Sequence, residues 1–272
     1  MSAHTPAKRL TTRDIAAMRR RGEAIAMLTA YDAIMATLVE SAGIDMILIG
    51  DSLGNVVLGH ETTLPVTLDD MIRHAAAVKR GTSRALLVCD MPFGSATNPA
   101  TALTNAVRVM KETGVEAVKV EGGRAMVPVV EALVGHGIAV IGHIGLTPQA
   151  VHQMGGYYMH GKDEASAARL REEAKALEAA GVFALVLECV TPALASEITR
   201  TLTIPTIGIG SGKDCAGQVL VVNDLIGLSV SPPPAFARPR ADVAAIIRGA
   251  VGEYVAETKA ERQPIPMPRR AE

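Results

Sequence analysis

The chain has no tryptophan and only four tyrosines and three phenylalanines among its 272 residues, so aromatic packing contributes little to its core. Cysteine is as scarce. Cys89, Cys189 and Cys215 are an odd number at wide spacings with no CxxC, which argues against a disulfide framework and a structural zinc site and leaves them as packing thiols. Surplus charge is also missing: 27 Lys and Arg stand against 28 Asp and Glu, a net charge of -1. Without a basic excess there is nothing to neutralise a phosphate backbone, so nucleic acid is excluded as the main partner. The longest apolar runs, such as residues 46–50, fall far short of the roughly 18 to 20 residues that a membrane span requires. The basic N-terminal stretch from Lys8 to Arg21 has no apolar segment behind it, unlike a secretory signal. A cytoplasmic location is the default expectation.

What is plentiful is small and aliphatic: 25 glycines, and 49% hydrophobic residues overall. Four times a helix-like segment ends in Gly and an unbroken β-branched run follows, at Gly43 before IDMILIGD, Gly114 before VEAVKVEG, Gly137 before IAVIGHIG and Gly181 before VFALVLEC. Glycine supplies the left-handed residue that ends a helix, and continuous Val/Ile/Leu runs are what strands buried on both faces require. Strands are predicted near 24–29, 44–50, 85–90, 116–121, 138–143, 183–188, 204–209 and 225–230, with helices between them, including one near 214–222. Eight alternating units in about 250 residues predict a (β/α)8 TIM barrel. The expectation is a single domain over 1–272, with an extra N-terminal helix near 12–21 and a solvated tail from about 258. No GxGxxG follows the first strand, and GIGSG at 208–212 is an incomplete dinucleotide fingerprint that equally fits a phosphate or carboxylate nest.

In such a barrel the chemistry sits at the C-terminal ends of the strands. Five predicted strand ends are polar: Gly50-Asp51-Ser52, Cys89-Asp90, Lys119-Val120-Glu121, Gly142-His143 and Leu187-Glu188. Alternation places Lys119 and Glu121 on one face of their strand, one layer apart. Asp51, Asp90 and Glu121 would gather three carboxylates in a low-dielectric mouth, a charge too costly without a cation among them. All-oxygen ligands with room for water favour Mg²⁺, with Mn²⁺ or Co²⁺ as substitutes. Glu188 stands on a separate strand between Leu187 and Cys189, and is better suited to moving a proton than to holding the metal. A divalent ion, a lysine and a separate carboxylate base together form a kit for enolising a 2-oxo acid.

TAYD (29–32), GDSLGNVVLGH (50–60), TLPVT (63–67), DMPF (90–93), VKVEGG (118–123), GHIGLTPQ (142–149), GGY (155–157), LVLECV (185–190) and IPTIGIGSG (204–212) occur in order along the chain. With these motifs it closely resembles the ketopantoate hydroxymethyltransferases. The resemblance implies a barrel enzyme of pantothenate synthesis that transfers a one-carbon unit from 5,10-methylenetetrahydrofolate to 3-methyl-2-oxobutanoate, giving 2-dehydropantoate. It implies one Mg²⁺ per subunit on Asp51, Asp90 and Glu121, partly through water. It further implies an oxo acid held by Asp51 and Ser52 with Asp90, Lys119 and His143 beside it, Glu188 as proton acceptor, and a homodecamer. Ser211 and Ala216 depart from the family's usual GIGAG and CDGQVLV, but neither lies at one of the five strand tips. Two rivals are weighed against this reading. A lyase or mutase of the isocitrate lyase type would be favoured by a KKCGH-like catalytic cysteine motif, which is missing. A non-catalytic 2-oxo acid sensor has no need of Glu188. The segment His143–Lys162 is long enough to be a lid over the mouth.

Overall fold

The computed structural model of the protein describes residues 8–260. It contains eight strands, β1 (Ile25–Thr29), β2 (Met46–Ile49), β3 (Leu86–Asp90), β4 (Ala117–Glu121), β5 (Ala139–Gly145), β6 (Ala184–Glu188), β7 (Thr206–Ile209) and β8 (Gly217–Leu220). They pair in parallel in that order and close on themselves through β8 and β1. Helix α1 (Thr12–Arg21) precedes the barrel, and α2 (Ala33–Ser41), α3 (Leu53–Val56), α4 (Leu68–Arg80), α5 (Pro99–Thr113), α6 (Val127–Gly135), α7 (Val151–Met154), α8 (Glu164–Ala180) and α9 (Pro192–Thr201) lie between strands. Two more follow, α10 (Val222–Ile226) and α11 (Val243–Ala260). This is the predicted TIM barrel with its extra N-terminal helix. The four junction glycines all have positive φ, at 93° (Gly43), 73° (Gly114), 80° (Gly137) and 100° (Gly181), the conformation that ends a helix cheaply only for glycine.

The inward face of the barrel changes character from bottom to top. Strand alternation sends Leu86 and Val88, Ala117, Ile141, and Ala184 and Val186 into a common apolar core. One or two steps further along the same faces come Asp90, Lys119, Glu121, His143 and Glu188. Below the core, Ile15 of α1 is fully buried against Ile25 and Met27, so α1 closes the bottom of the barrel. Thr11 and Asp14 cap that helix reciprocally in a capping box.

The eighth strand departs from expectation. Residues 225–230 do not form it, and residues 214–222 do not form a helix: β8 is Gly217–Leu220, and α10 begins at Val222. Ala216, Val219 and Leu220 carry a spacing that suits a helix, but Gly217 sits where β8 meets both β1 and β7. A Cβ there would run into the Ile25 carbonyl and the Ile25 and Ile207 side chains, so glycine is what lets the seam of the barrel shut.

The chain packs as two compact units, one ending at Val222 and the other beginning at Asn223. In the second, Arg240 N–H bonds to Leu225 O at 2.7 Å, and α11 exposes Ile246, Ile247, Val251, Tyr254 and Val255. The helix runs to Ala260, past the predicted start of the tail, whose residues from 261 onward lie outside the described range. Among the described residues no helix is long and apolar enough to cross a membrane.

Glu40, near the end of α2, takes hydrogen bonds from the main-chain N–H groups of Ser83, Arg84 and Ala85 at the foot of β3. Burial alone would raise its pKa, but these donors more than offset it and hold the carboxyl below 4.5. Replacing Glu40 with Ala should cost about 1–3 kcal/mol at pH 7, measured by thermal or urea unfolding. A carboxyl depressed in the folded state contributes stability above its unfolded pKa and loses it as pH falls through the folded value. The gap between wild type and variant should therefore narrow below about pH 4.5.

Candidate active site

Strand register brings the polar tips together. Asp90 on β3 pairs with Lys119 on β4, Glu121 on β4 pairs with His143 on β5, and Gly145 on β5 pairs with Glu188 on β6. Lys119 Nζ lies 2.9 Å from Asp90 Oδ1 and 3.3 Å from Glu121 Oε1, with both partners buried. It is also 3.2 Å from His143 Nδ1. The His143 ring continues the chain of charges, with Nδ1 3.4 Å from Glu121 Oε1 and Nε2 3.2 Å from Glu188 Oε2. Asp51, just past β2, donates its main-chain N–H to Asp90 Oδ2 at 3.0 Å. Ser52 Oγ is 2.8 Å from the Tyr31 hydroxyl. All the predicted site residues thus converge on one mouth, on a network running Asp51–Asp90–Lys119–Glu121/His143–Glu188 with Ser52 at its edge.

Burial and crowding set the electrostatics. Asp51 has its pKa pushed well above 3.8 by burial first, then by repulsion from Asp90 and Glu121. For Asp90 burial outweighs the pull of Lys119 and raises it too. Lys119 loses solvation, yet Asp90, Glu121 and Asp51 together hold its ammonium charged well above the ordinary range. Glu121 is the acid the cations win: burial works against its ionisation, but Lys119 and His143 bring it down to about 2. His143 is buried beside an ammonium, yet Glu121 and Glu188 raise it to about 9, so the ring is cationic at neutral pH.

The expected trio around a metal needs a qualification of geometry. Lys119 stands between Asp90 and Glu121, and among the described residues no group of three or more His, Cys, Asp or Glu side chains is placed to hold a metal ion. The donor set nevertheless fits a hard cation. Asp51 and Asp90 are adjacent carboxylates whose burial, first of all, raises both pKa values, a cost that a bound cation would relieve, and Mg²⁺ commonly takes only one or two carboxylates plus water.

Two contributors went unassigned in the sequence. Gln149, in a 3₁₀ turn (Pro148–Ala150) after β5, reaches across the mouth. Its Nε2 donates to Asp51 Oδ2 at 2.8 Å and to Met91 O at 3.0 Å, while its main-chain N–H donates to Glu121 Oε2 at 3.1 Å. Tyr31, buried after β1, holds Ser52. Both stand inside quoted motifs, GHIGLTPQ and TAYD, which were the available signal.

The end of β6 at Glu188 has its own support. Cys189, next to Glu188, has φ 49°, a left-handed backbone uncommon for a residue with a Cβ. Ser211 spans the bend: its Oγ accepts from Val190 N–H at 2.9 Å and donates to Leu187 O at 2.8 Å. The serine of GIGSG is therefore committed to holding the end of β6. Burial raises the thiol pKa of all three cysteines, Cys189 to about 11, so none is a ready nucleophile at neutral pH.

A closed parallel barrel with an ionised lysine, a cationic histidine and four carboxylates at its C-terminal mouth defines a (β/α)8-barrel enzyme. Solved structures agree on the fold: a phosphonopyruvate hydrolase in complex with oxalate and Mg²⁺ superposes with a TM-score of 0.63 at 13% identity, over 92% of this chain and 87% of that one. A 2,3-dimethylmalate lyase of the PEP mutase/isocitrate lyase superfamily gives a TM-score of 0.54 at 18% identity, over 95% and 90%. Sequence relatives are far nearer. The 3-methyl-2-oxobutanoate hydroxymethyltransferase of Magnetococcus marinus is 50% identical over 95% of this chain and 97% of its own. The protein of the same name from Anaeromyxobacter dehalogenans is 52% identical over 97% and 89%. The family model for ketopantoate hydroxymethyltransferase matches residues 9–266. The chain belongs to the ketopantoate hydroxymethyltransferase family, and it is a ketopantoate-forming transferase of the pantothenate pathway.

Proposed function

We propose that the enzyme transfers the one-carbon unit of 5,10-methylenetetrahydrofolate to C3 of 3-methyl-2-oxobutanoate, through the enolate of the oxo acid. Glu188 takes the C3 proton, the new C–C bond forms to the donor's methylene carbon as that carbon's two bonds to nitrogen break, and water supplies the hydroxyl oxygen; the C3 proton and one proton of the water end on the two nitrogens, so that 2-dehydropantoate and tetrahydrofolate leave. The observation that carries the reading is the separation of roles along one network. His143 Nε2 lies 3.2 Å from Glu188 Oε2, while Lys119 Nζ stands among the other acids, 2.9 Å from Asp90 Oδ1 and 3.3 Å from Glu121 Oε1.

Asp51 and Ser52 would hold the oxo acid, with Asp90, Lys119 and His143 beside it. Lys119 presents fixed positive charge where the enolate develops, in a buried site where such charge acts strongly. Asp51, Asp90 and Glu121 would hold Mg²⁺, partly through water; when bound, the ion would supply further positive charge to the oxo acid. Gln149 positions Asp51 and Glu121 from the loop above. Outer partners of ligating carboxylates govern affinity, so Gln149→Ala should weaken Mn²⁺ binding by about tenfold or more, read by titration calorimetry or electron paramagnetic resonance.

The reading is tested by following the C3 proton of 3-methyl-2-oxobutanoate by NMR in D₂O with Mg²⁺, with and without tetrahydrofolate. Metal-dependent exchange is the expected outcome. Silence under both conditions would overturn the enolate route. We also expect a homo-oligomer, a homodecamer by the family resemblance. The exposed apolar residues of α11 support subunit contact, and light scattering should return a multiple of the chain mass.

A further inference from the structure

We propose that the cavity beside the C-terminal end of β6 is the seat of the one-carbon donor, an aromatic pterin with a carboxylate tail. The assignment rests on the reading of the reaction above, which requires such a second substrate to meet the enolate next to Glu188. The cavity, of about 630 Å³, is lined by Tyr158, His160, Lys162, Ser166 and Arg169 among others, within the size range of sites for ligands of this class.

Its position follows from the backbone. His160 N–H donates to Cys189 O at 2.7 Å, and Thr191 N–H donates to His160 O at 2.9 Å, so the segment runs alongside the end of β6, one residue beyond the base. A molecule in the cavity therefore has a short path to the reacting carbon.

Three features of the lining match the donor's chemistry. The Tyr158 ring stacks on His160 at 4.6 Å between centroids and stays half exposed, so it offers aromatic surface on which a pterin or aminobenzoyl ring can extend the stack. His160 is 5% exposed, and its Nε2 is buried without a hydrogen-bond partner, an unsatisfied polar atom that a polar ligand group would complete. Lys162 and Arg169 supply positive charge for a carboxylate tail. The only acid paired with Arg169 is Glu173, at 3.8 Å, which leaves most of its guanidinium donors uncommitted among the described contacts.

The test measures tetrahydrofolate binding by anaerobic titration calorimetry on the full-length protein with Mg²⁺ and the oxo acid, for wild type, Tyr158→Ala and the double variant Lys162→Ala/Arg169→Ala. The double variant should raise Kd at least tenfold and Tyr158→Ala at least fivefold, with the KM for 5,10-methylenetetrahydrofolate rising in parallel and kcat changing less. A second probe, 6-methyltetrahydropterin, lacks the tail: its binding should remain sensitive to Tyr158→Ala and become indifferent to the two cations. Thermal melts coincident with wild type confirm that the variants fold. Kd values within twofold of wild type in both variants would overturn the proposal while leaving the reaction intact. A wild type that exchanges the C3 proton yet binds no tetrahydrofolate would overturn it together with the choice of donor.

Discussion

Glu188→Gln should slow exchange of the C3 proton of 3-methyl-2-oxobutanoate by about two to four orders of magnitude, the range for a positioned general base. The amide keeps the size of the carboxyl and can still meet His143, 3.2 Å away, so the substitution removes proton-accepting ability with little change in shape. Substrate KM should move far less than the rate. If exchange in the variant remained within about threefold of wild type, the base would have to be sought elsewhere in the mouth, with the buried Asp51 and Asp90 next in line. The measurement is NMR in D₂O under single-substrate conditions, where carbon–carbon bond formation cannot mask the proton step.

The second large effect is structural as well as catalytic. Lys119→Met removes the one ammonium set between Asp90 and Glu121, and leaves two buried carboxylates facing each other beside Asp51. Breaking a buried pair in this way costs about 3–5 kcal/mol, a fall in melting temperature on the order of 10 °C for a chain of this size. Arginine is not a rescue, since its planar fork cannot occupy a point between the two carboxylates as a compact ammonium does. Calorimetric melting of the variant reads the stability term. Its rate of C3 proton exchange reads the loss of charge at the enolate, and a fall of tenfold or more is expected.

Much of this was legible because two periodicities coincide. Positions two apart on each strand share a face, so Lys119 with Glu121 could be aligned by counting, and the helix-ending glycines located the strands they precede. What alternation does not encode is the order of charges within the cluster. The pattern brings three acids and a lysine to one mouth, but nothing in it says that the lysine stands between Asp90 and Glu121. Gln149 escaped for a different reason. It lies in a turn with no repeat, and its partners Asp51 and Met91 are set by a loop crossing the barrel mouth. The eighth strand was hidden because its defining residue, Gly217, matters through what it omits: a side chain that would have held β1 and β8 apart.

That seam also governs the order in which the protein can be made. Ile25 pairs with Gly217, so the ring cannot close until nearly the whole barrel sequence has been synthesised, and long-range pairings of this kind form slowly. The acids and bases of the mouth come from β2 to β6, a contiguous block that emerges earlier. During synthesis, therefore, the charged cluster and its neighbours exist for a time on an open, curved sheet whose two edge strands await each other. A delay at residues 217–220 would leave β1 and β7 as unpaired edges, the kind of surface on which nascent chains aggregate.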